Sequence, residues 1–149
     1  MVNWDLRFID LAAHISTWSK DPSTQVGAVI VNKDRIVVGM GYNGFPRGVL
    51  DLPERYTDRD TKYKMIVHAE VNAILQAGQL AKGATLYVYP SFAEPPICNE
   101  CCKFAIQAGI KEIVGLKSHK DDERNKRWAD SIAISKLMCL EAGVLWRMI

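Results

Sequence analysis

Two short segments of the chain carry side chains that can bind a metal ion and move protons. The first holds His68 and Glu70, and the second holds Cys98 and Cys101. The two cysteines are three residues apart, so their thiols share one face of a helix. A histidine nitrogen and two thiolates are donors that zinc prefers, and three protein ligands leave one tetrahedral position open for water. The spacing therefore predicts a catalytic site with one zinc ion per subunit, held by His68, Cys98 and Cys101.

Glu70 is predicted to carry protons rather than to bind the ion. It follows His68 by two residues, a rotation of about 200° on a helix, so we expect the two side chains to leave in different directions. Zinc lowers the pKa of a bound water toward ~7. A carboxylate beside such a water can accept a proton and later deliver one to a departing amine. We therefore assign Glu70 as general base and acid.

A closed structural zinc site is the alternative interpretation of the same residues, and it requires a fourth protein ligand. Cys102 is adjacent to Cys101 but ~100° away around a helix, which directs its thiol elsewhere. Because free cysteine packs as a small apolar residue, we expect Cys102 and Cys139 to be buried thiols. Cysteines grouped in a chain whose first residues do not resemble an export signal favour metal binding over disulfides.

The elements that must position these segments alternate between helix and strand. Apolar residues at helical spacing predict a first helix from Trp4 to Ile15, and two β-branched runs predict a hairpin. Residues 41–62 are rich in Gly, Pro, Asp and Arg and are predicted to form a long loop. Further strands are predicted over 85–89, 110–116 and 144–148, and further helices over 68–77, 98–108 and a segment that contains Trp128 and ends at Gly143.

Strands separated by helices predict parallel pairing, and the hairpin adds an antiparallel pair. We therefore expect an α/β fold, a three-layer α/β/α sandwich with a mixed five-stranded sheet. The 149 residues are 48% hydrophobic and 24% charged, which fits a single domain over residues 1–149.

Charge and hydropathy limit the class of partner. No apolar run approaches the ~18 residues of a membrane span, and charged residues at the N-terminus argue against a signal peptide, so we expect a cytoplasmic protein without a membrane partner. With 19 basic and 17 acidic residues and no basic stripe, nucleic acid is not an expected partner. His119, Lys117, Lys120 or Arg124 could approach a phosphate, but neighbouring acidic residues favour a solvated loop.

A His-x-Glu pair followed by Cys-x-x-Cys is typical of zinc-dependent nucleobase deaminases. Further segments with a characteristic sequence are Trp4-Asp5 and residues 19–22, 25–28, 41–48, 68–74, 98–101 and 106–112. In these segments, and over nearly its whole length, the chain resembles the deoxycytidylate (dCMP) deaminases. The resemblance implies a cytidine deaminase-like fold and zinc-dependent hydrolysis of dCMP to dUMP and ammonia in pyrimidine deoxynucleotide metabolism.

The resemblance also implies roles for individual residues. His68, Cys98 and Cys101 match the family's zinc ligands, and Glu70 matches its proton shuttle. Asn43 matches an asparagine that contacts the sugar of the substrate. The backbone N–H of Ala69 is expected to meet the pyrimidine carbonyl.

Regulation and assembly are implied in the same way. Family members are commonly homo-hexamers that dCTP activates and dTTP inhibits, with Mg²⁺ accompanying a triphosphate effector. Gly41, Tyr42 and Gly44 would lie at that effector site. Trp18, Trp128 and Trp146 are expected in the core or in subunit contacts, because none falls in a basic stripe.

One departure from the family pattern leaves the base open. Residues 89–97 form a longer link to the first cysteine than is usual, and Ile97 replaces the proline that normally precedes it. Ring-modified dCMP, dCTP and bases in nucleic acid therefore stay as alternative substrates. A catalytically silent nucleotide sensor is the alternative outside enzyme function.

Overall fold

A computed structural model describes residues 1–117 and 122–149 of the chain. Six helices and five strands are present in this described part, and a 3₁₀ turn, Gly78–Ala81, follows the fourth helix. In chain order the elements are α1 (Trp4–Ser16), β1 (Gly27–Val31), β2 (Val37–Tyr42), α2 (Pro53–Thr57), α3 (Arg59–Met65), α4 (Ala69–Ala77), β3 (Thr85–Tyr89), α5 (Asn99–Ala108), β4 (Glu112–Gly115), α6 (Asp122–Ala142) and β5 (Leu145–Met148).

The strands form one mixed sheet in the order β2-β1-β3-β4-β5. β1 runs antiparallel to both β2 and β3, whereas β3, β4 and β5 are parallel. The predicted mixed five-stranded α/β sheet is confirmed. The antiparallel β1–β3 pair differs from the parallel pairing expected across a helical connection. β2 and β3, which the helices connect, do run in the same direction. However, β1 lies between them in the sheet, so β3 pairs with β1 and not with β2.

Alternating side chains of β1 divide the core into two layers, as the two-residue period of a strand requires. Val29 and Val31 pack with Phe8 and Ile9 of α1 on one face of the sheet. Ala28 and Ile30, on the other face, belong to a second cluster with α4 and α5. Helix α6 packs on α5 on this second side. The predicted three-layer sandwich is therefore confirmed.

Helix α4 lies unusually close to strand β2, and two glycines permit the approach. A Cβ at Gly41 would lie 2.3 Å from the carbonyl oxygen of Ala69, and one at Gly39 would lie 2.5 Å from the carbonyl oxygen of Ala73. Any side chain at Gly41 would push the first turn of α4 away from the sheet. That first turn carries the predicted metal-binding and catalytic residues.

The prediction of a long loop over residues 41–62 is wrong, because α2 and α3 form within and just beyond it. Pro53 occupies the first turn of α2, where its missing N–H costs no helical hydrogen bond. Tyr56 of α2 is buried and stacks on Phe45 with ring centroids 4.3 Å apart. An isolated antiparallel bridge between Gly44 and Val67 closes the insertion. Tertiary contacts of this kind stabilise helices too short to show a sequence period.

No helix in the described ranges 1–117 and 122–149 is both long and apolar enough to cross a membrane.

Candidate active site

The starts of helices α4 and α5 bring the predicted metal ligands together. His68 and Cys98 are the N-cap residues of these helices, with extended backbone rather than the helical conformation expected from the sequence. Nδ1 of His68 lies 3.2 Å from Sγ of Cys101 and 3.5 Å from Sγ of Cys98.

The spacing of these three donor atoms fits a tetrahedral zinc ion. The donor atoms all lie within 4.8 Å of one another. Tetrahedral bonds of ~2.3 Å to sulfur and ~2.1 Å to nitrogen would place nitrogen and sulfur about 3.6 Å apart, close to the separations of 3.2 and 3.5 Å in the structure. Within the described residues, His68, Cys98 and Cys101 are the group of this kind that could hold a metal ion.

The same contacts set the charge of the cluster. A hydrogen bond from the Cys101 thiol lowers the pKa of Cys98 to about 4, and a hydrogen bond from His68 makes a smaller contribution in the same direction. The hydrogen bond to Cys98 raises the pKa of His68 to about 9, and the carboxyl of Glu70 adds to this effect. The pKa of Cys101 is raised by its hydrogen bond to Cys98 and by burial. As they stand, the side chains form a thiolate beside an imidazolium, and Cys101 keeps its proton.

Glu70 lies in the first turn of α4 and faces the cysteines. Its Oε2 is 3.8 Å from Sγ of Cys101, and its side chain is buried. Burial raises the pKa of this carboxyl above its usual value. The 200° separation from His68 expected on a helix does not apply, because His68 precedes the helix and leaves from extended backbone. Both side chains therefore line the same cavity.

Ala69 also lines this cavity as the first residue of α4. The helix itself supplies no acceptor for an N–H at this position, so the Ala69 amide can donate to a ligand.

Asn43 is buried at the cavity wall and holds the preceding loop in place. Its Oδ1 accepts a hydrogen bond from the Val26 amide at 2.8 Å. Its Nδ2 donates to the carbonyl of Thr24 at 2.8 Å and to Oδ2 of Asp21 at 3.3 Å. Both amide donors are thus used within the protein, whereas Oδ1 has a second lone pair that can accept a hydrogen bond. The structure gives Asn43 a positioning role that the sequence did not indicate.

The cavity has a volume of about 460 Å³, a size typical of small-molecule sites. His68, Glu70 and Cys98 form part of its wall. Aromatic and cationic side chains that sequence reasoning did not assign to a site form other parts, among them Lys62, Tyr63, Phe92, Arg124 and Trp128.

Helix α6 contributes two of these unassigned residues. Trp128, expected in the core or a subunit contact, lines the cavity and meets Tyr63 edge to face with centroids 6.3 Å apart. Arg124, expected in a solvated loop, lies over the ring of Phe92 at 4.0 Å. His119 and Lys120, weighed with it as phosphate contacts, lie outside the described residues. Lys117 is exposed.

Cys102 and Cys139 are buried and contact each other with their sulfur atoms 3.6 Å apart, as predicted for packed thiols. Cys102 follows Cys101 directly but does not belong to the metal-competent group.

The proposed effector residues differ in their accessibility. Gly41 is buried beneath α4, Tyr42 is exposed, and Gly44 is partly exposed. The absence of a side chain at Gly41 is explained by packing.

A family model and curated relatives match most of the chain. Residues 2–117 match the family model described as the cytidine and deoxycytidylate deaminase zinc-binding region. The deoxycytidylate deaminase of Homo sapiens is 40% identical over 154 residues, which cover 98% of this chain and 79% of the human protein. The probable deoxycytidylate deaminase of Drosophila melanogaster is 35% identical over 150 residues, with 89% and 70% covered.

Solved structures share the fold. The dCMP deaminase from the cyanophage S-TIM5, in complex with dCMP and dUMP, matches with a TM-score of 0.71 and 22% identity over 100% of both chains. The cytidine deaminase from Burkholderia pseudomallei matches with a TM-score of 0.50 and 22% identity over 76% of this chain and 81% of the other. These likenesses confirm the cytidine deaminase-like fold.

Proposed function

The chain belongs to the cytidine and deoxycytidylate deaminase family, and on that basis we propose that it hydrolyses dCMP to dUMP and ammonia. The observation that carries the proposal is that Glu70 lies beside the His68, Cys98 and Cys101 cluster, at a cavity that His68, Glu70 and Cys98 line. Identity of 40% with the human deoxycytidylate deaminase supports dCMP as the substrate.

His68, Cys98 and Cys101 are the proposed ligands of one zinc ion, with two thiol groups and one imidazole as donors. A zinc ion bound by them would supply an activated water as the nucleophile. Cys98 is already a thiolate at neutral pH, because hydrogen bonds and the neighbouring imidazolium stabilise its charge. Of the three proposed ligands, His68 and Cys101 would each have to give up a proton to bind a divalent cation.

Glu70 is the proposed proton carrier. In the overall reaction, the oxygen of water replaces the amino group at C4 of cytosine, and the amine leaves as ammonia. The carboxylate of Glu70 takes a proton from the attacking water and passes protons to ring N3 and to the departing amine. Burial raises the pKa of this carboxyl, which makes the carboxylate a stronger base toward the attacking water.

Ala69 and Asn43 are proposed to orient the nucleotide. The amide N–H of Ala69 would donate to the pyrimidine carbonyl. Asn43 would accept from the sugar through Oδ1 while it holds the loop of Thr24 and Val26. The two contacts would set the distance between the ring and Glu70.

Assembly and regulation extend the proposal. We expect a cytoplasmic homo-hexamer with one domain per chain over residues 1–149, regulated by dCTP with Mg²⁺ and by dTTP. Exposed Tyr42 and partly exposed Gly44 support an effector contact at the end of β2 better than buried Gly41 does.

Ammonia release from a panel of substrates tests the proposed function. The panel contains dCMP, dCTP, 5-substituted dCMP, cytidine and single-stranded DNA, each with and without dCTP and Mg²⁺. We expect dCMP to give the highest kcat/KM. A higher value for DNA or for dCTP would contradict the proposed substrate, and binding without any turnover would favour a nucleotide sensor.

A further inference from the structure

We propose that Lys62 of α3 and Arg124 of α6 together bind the 5′-phosphate of the substrate. The inference rests on the proposed nucleotide substrate and deepens it, because it names the side chains that separate a nucleotide from a nucleoside. Both residues line the cavity that contains His68 and Glu70.

One loop holds both cations in place. Asp21 forms an ion pair with Lys62, with Nζ 2.7 Å from Oδ2. Thr24, three residues later, accepts a hydrogen bond at Oγ1 from Nη2 of Arg124 at 2.9 Å. Because Oδ1 of Asp21 also accepts from the Thr24 amide at 3.2 Å, the two anchors are directly connected. Lys62 and Arg124, 62 positions apart, are thus fixed on the same wall of the cavity.

Lys62 is held as a rigid donor rather than as a mobile surface charge. Its side chain is only 12% exposed, and the Asp21 carboxylate that pairs with it is 1% exposed. Asp21 is itself fixed by the Ser23 amide at 2.8 Å and by Nδ2 of Asn43 at 3.3 Å. The carboxylate accepts one of the three N–H donors of the ammonium group, which leaves two for a ligand.

The guanidinium of Arg124 has a shape that is complementary to a phosphate group. The guanidinium stacks over Phe92 with Cζ 4.0 Å from the ring centroid, which fixes the plane of the group. A planar guanidinium presents several N–H donors in a fork that matches two phosphate oxygens. Held between Phe92 and Thr24, it loses little conformational freedom when an anion binds.

The charges on the cavity wall favour an anion. Arg59 and Arg127 line the same cavity, so four lysine and arginine side chains are part of its wall. The carboxyl groups among its described lining residues are Asp21, which pairs with Lys62, and Glu70, which lies at the cysteines. An excess of positive charge in a concave site attracts a phosphorylated ligand more strongly than a neutral nucleoside.

Binding of dUMP and of deoxyuridine by calorimetry tests the inference without requiring turnover. The variants are Lys62→Met and Arg124→Gln. Their matched controls are Lys20→Met, from an exposed lysine–aspartate pair, and Lys126→Gln, from the exposed side of α6. Zinc content and ammonia release from dCMP and deoxycytidine are measured on the same samples.

We expect the wild-type protein to bind dUMP more tightly than deoxyuridine and each cavity variant to lose about 10- to 100-fold of that preference, as expected for a charge-assisted hydrogen bond. The controls should keep the preference. An unchanged preference in the folded variants, or none in the wild-type protein, would overturn the inference. A loss in one variant alone would overturn the paired contact.

Lys62→Met leaves Asp21 buried without its cation, so this variant is at risk of not folding. In that case Arg124→Gln decides the question, because it leaves the Asp21–Lys62 pair intact. Failure of the proposed function gives a different result. If the wild-type protein releases no ammonia from dCMP, the proposed reaction is refuted. If that protein still prefers dUMP, and the preference depends on Lys62 and Arg124, the phosphate site stands.

Discussion

Oε2 of Glu70 lies 3.8 Å from Sγ of Cys101, although the two residues are 31 positions apart in the sequence. The contact joins the first turns of α4 and α5. It places a buried carboxyl against a thiol that also lies 3.2 Å from Nδ1 of His68. The proposed proton carrier and the three proposed metal ligands are thereby assembled from two helix starts.

Gly41 is predicted to control the position of this assembly. Replacing Gly41 with Ala would place a Cβ 2.3 Å from the carbonyl oxygen of Ala69. We expect a loss of stability of about 1–3 kcal/mol, as for an overpacked core, together with weaker zinc binding. Thermal unfolding and zinc titration measure both effects.

Gly44→Ala is the matched control, because a Cβ at Gly44 meets nothing within 4 Å. Equal stability and equal zinc affinity for the two variants would contradict the role of the close approach between β2 and α4.

The adjacent cysteines are predicted to differ in their effect on the metal. Cys101→Ala removes a proposed ligand and should abolish stoichiometric zinc binding. Cys102→Ala removes a thiol that packs on Cys139 and should keep one zinc per chain, at a cost of about 1 kcal/mol in stability. Metal analysis of the two purified variants distinguishes them, and loss of zinc from Cys102→Ala would show a structural site with a fourth ligand.

Zinc binding is predicted to release protons. The pKa of His68 is raised to about 9 by its hydrogen bond to Cys98, and that of Cys101 is raised as well, so both groups are protonated at pH 7 before the ion binds. A metal ligand must give up its proton, so we expect one proton from each residue and weaker binding as the pH falls. Cys98, with a pKa of about 4, should contribute none near pH 7.

Calorimetry of zinc binding in buffers with different ionisation enthalpies counts these protons. The His68→Ala variant serves as the comparison and should release fewer. Binding of zinc to the wild-type protein without proton release would contradict the hydrogen-bonded state of the cluster.

The grouping of His68, Cys98 and Cys101 was predictable from the sequence because these residues occur in two short segments with characteristic spacing. His68 with Glu70, and Cys98 with Cys101, each lie around one helix start, so local geometry limits where the side chains can go. The five-stranded sheet was predictable for a similar reason, since β-branched runs and glycine-terminated helices alternate along the chain.

The cationic wall of the cavity was not predictable in the same way. Lys62 lies on α3, which has no buried residue and forms within a segment without hydrophobic periodicity. Its partner Asp21 and the contact between Arg124 and Thr24 join segments that are distant in sequence. The Leu52-Pro53 pair signals the start of α2, because proline is favoured at the start of a helix, but α2 does not carry Lys62.

Glu70→Gln tests the central claim most directly, with zinc content and ammonia release from dCMP measured on the same sample. Glu100→Gln is the control, since Glu100 is an exposed carboxyl in the cysteine segment that pairs with Lys103. We predict that Glu70→Gln binds one zinc per chain and loses 10²-fold or more of kcat, whereas Glu100→Gln keeps its activity. Wild-type turnover by zinc-loaded Glu70→Gln would contradict the account.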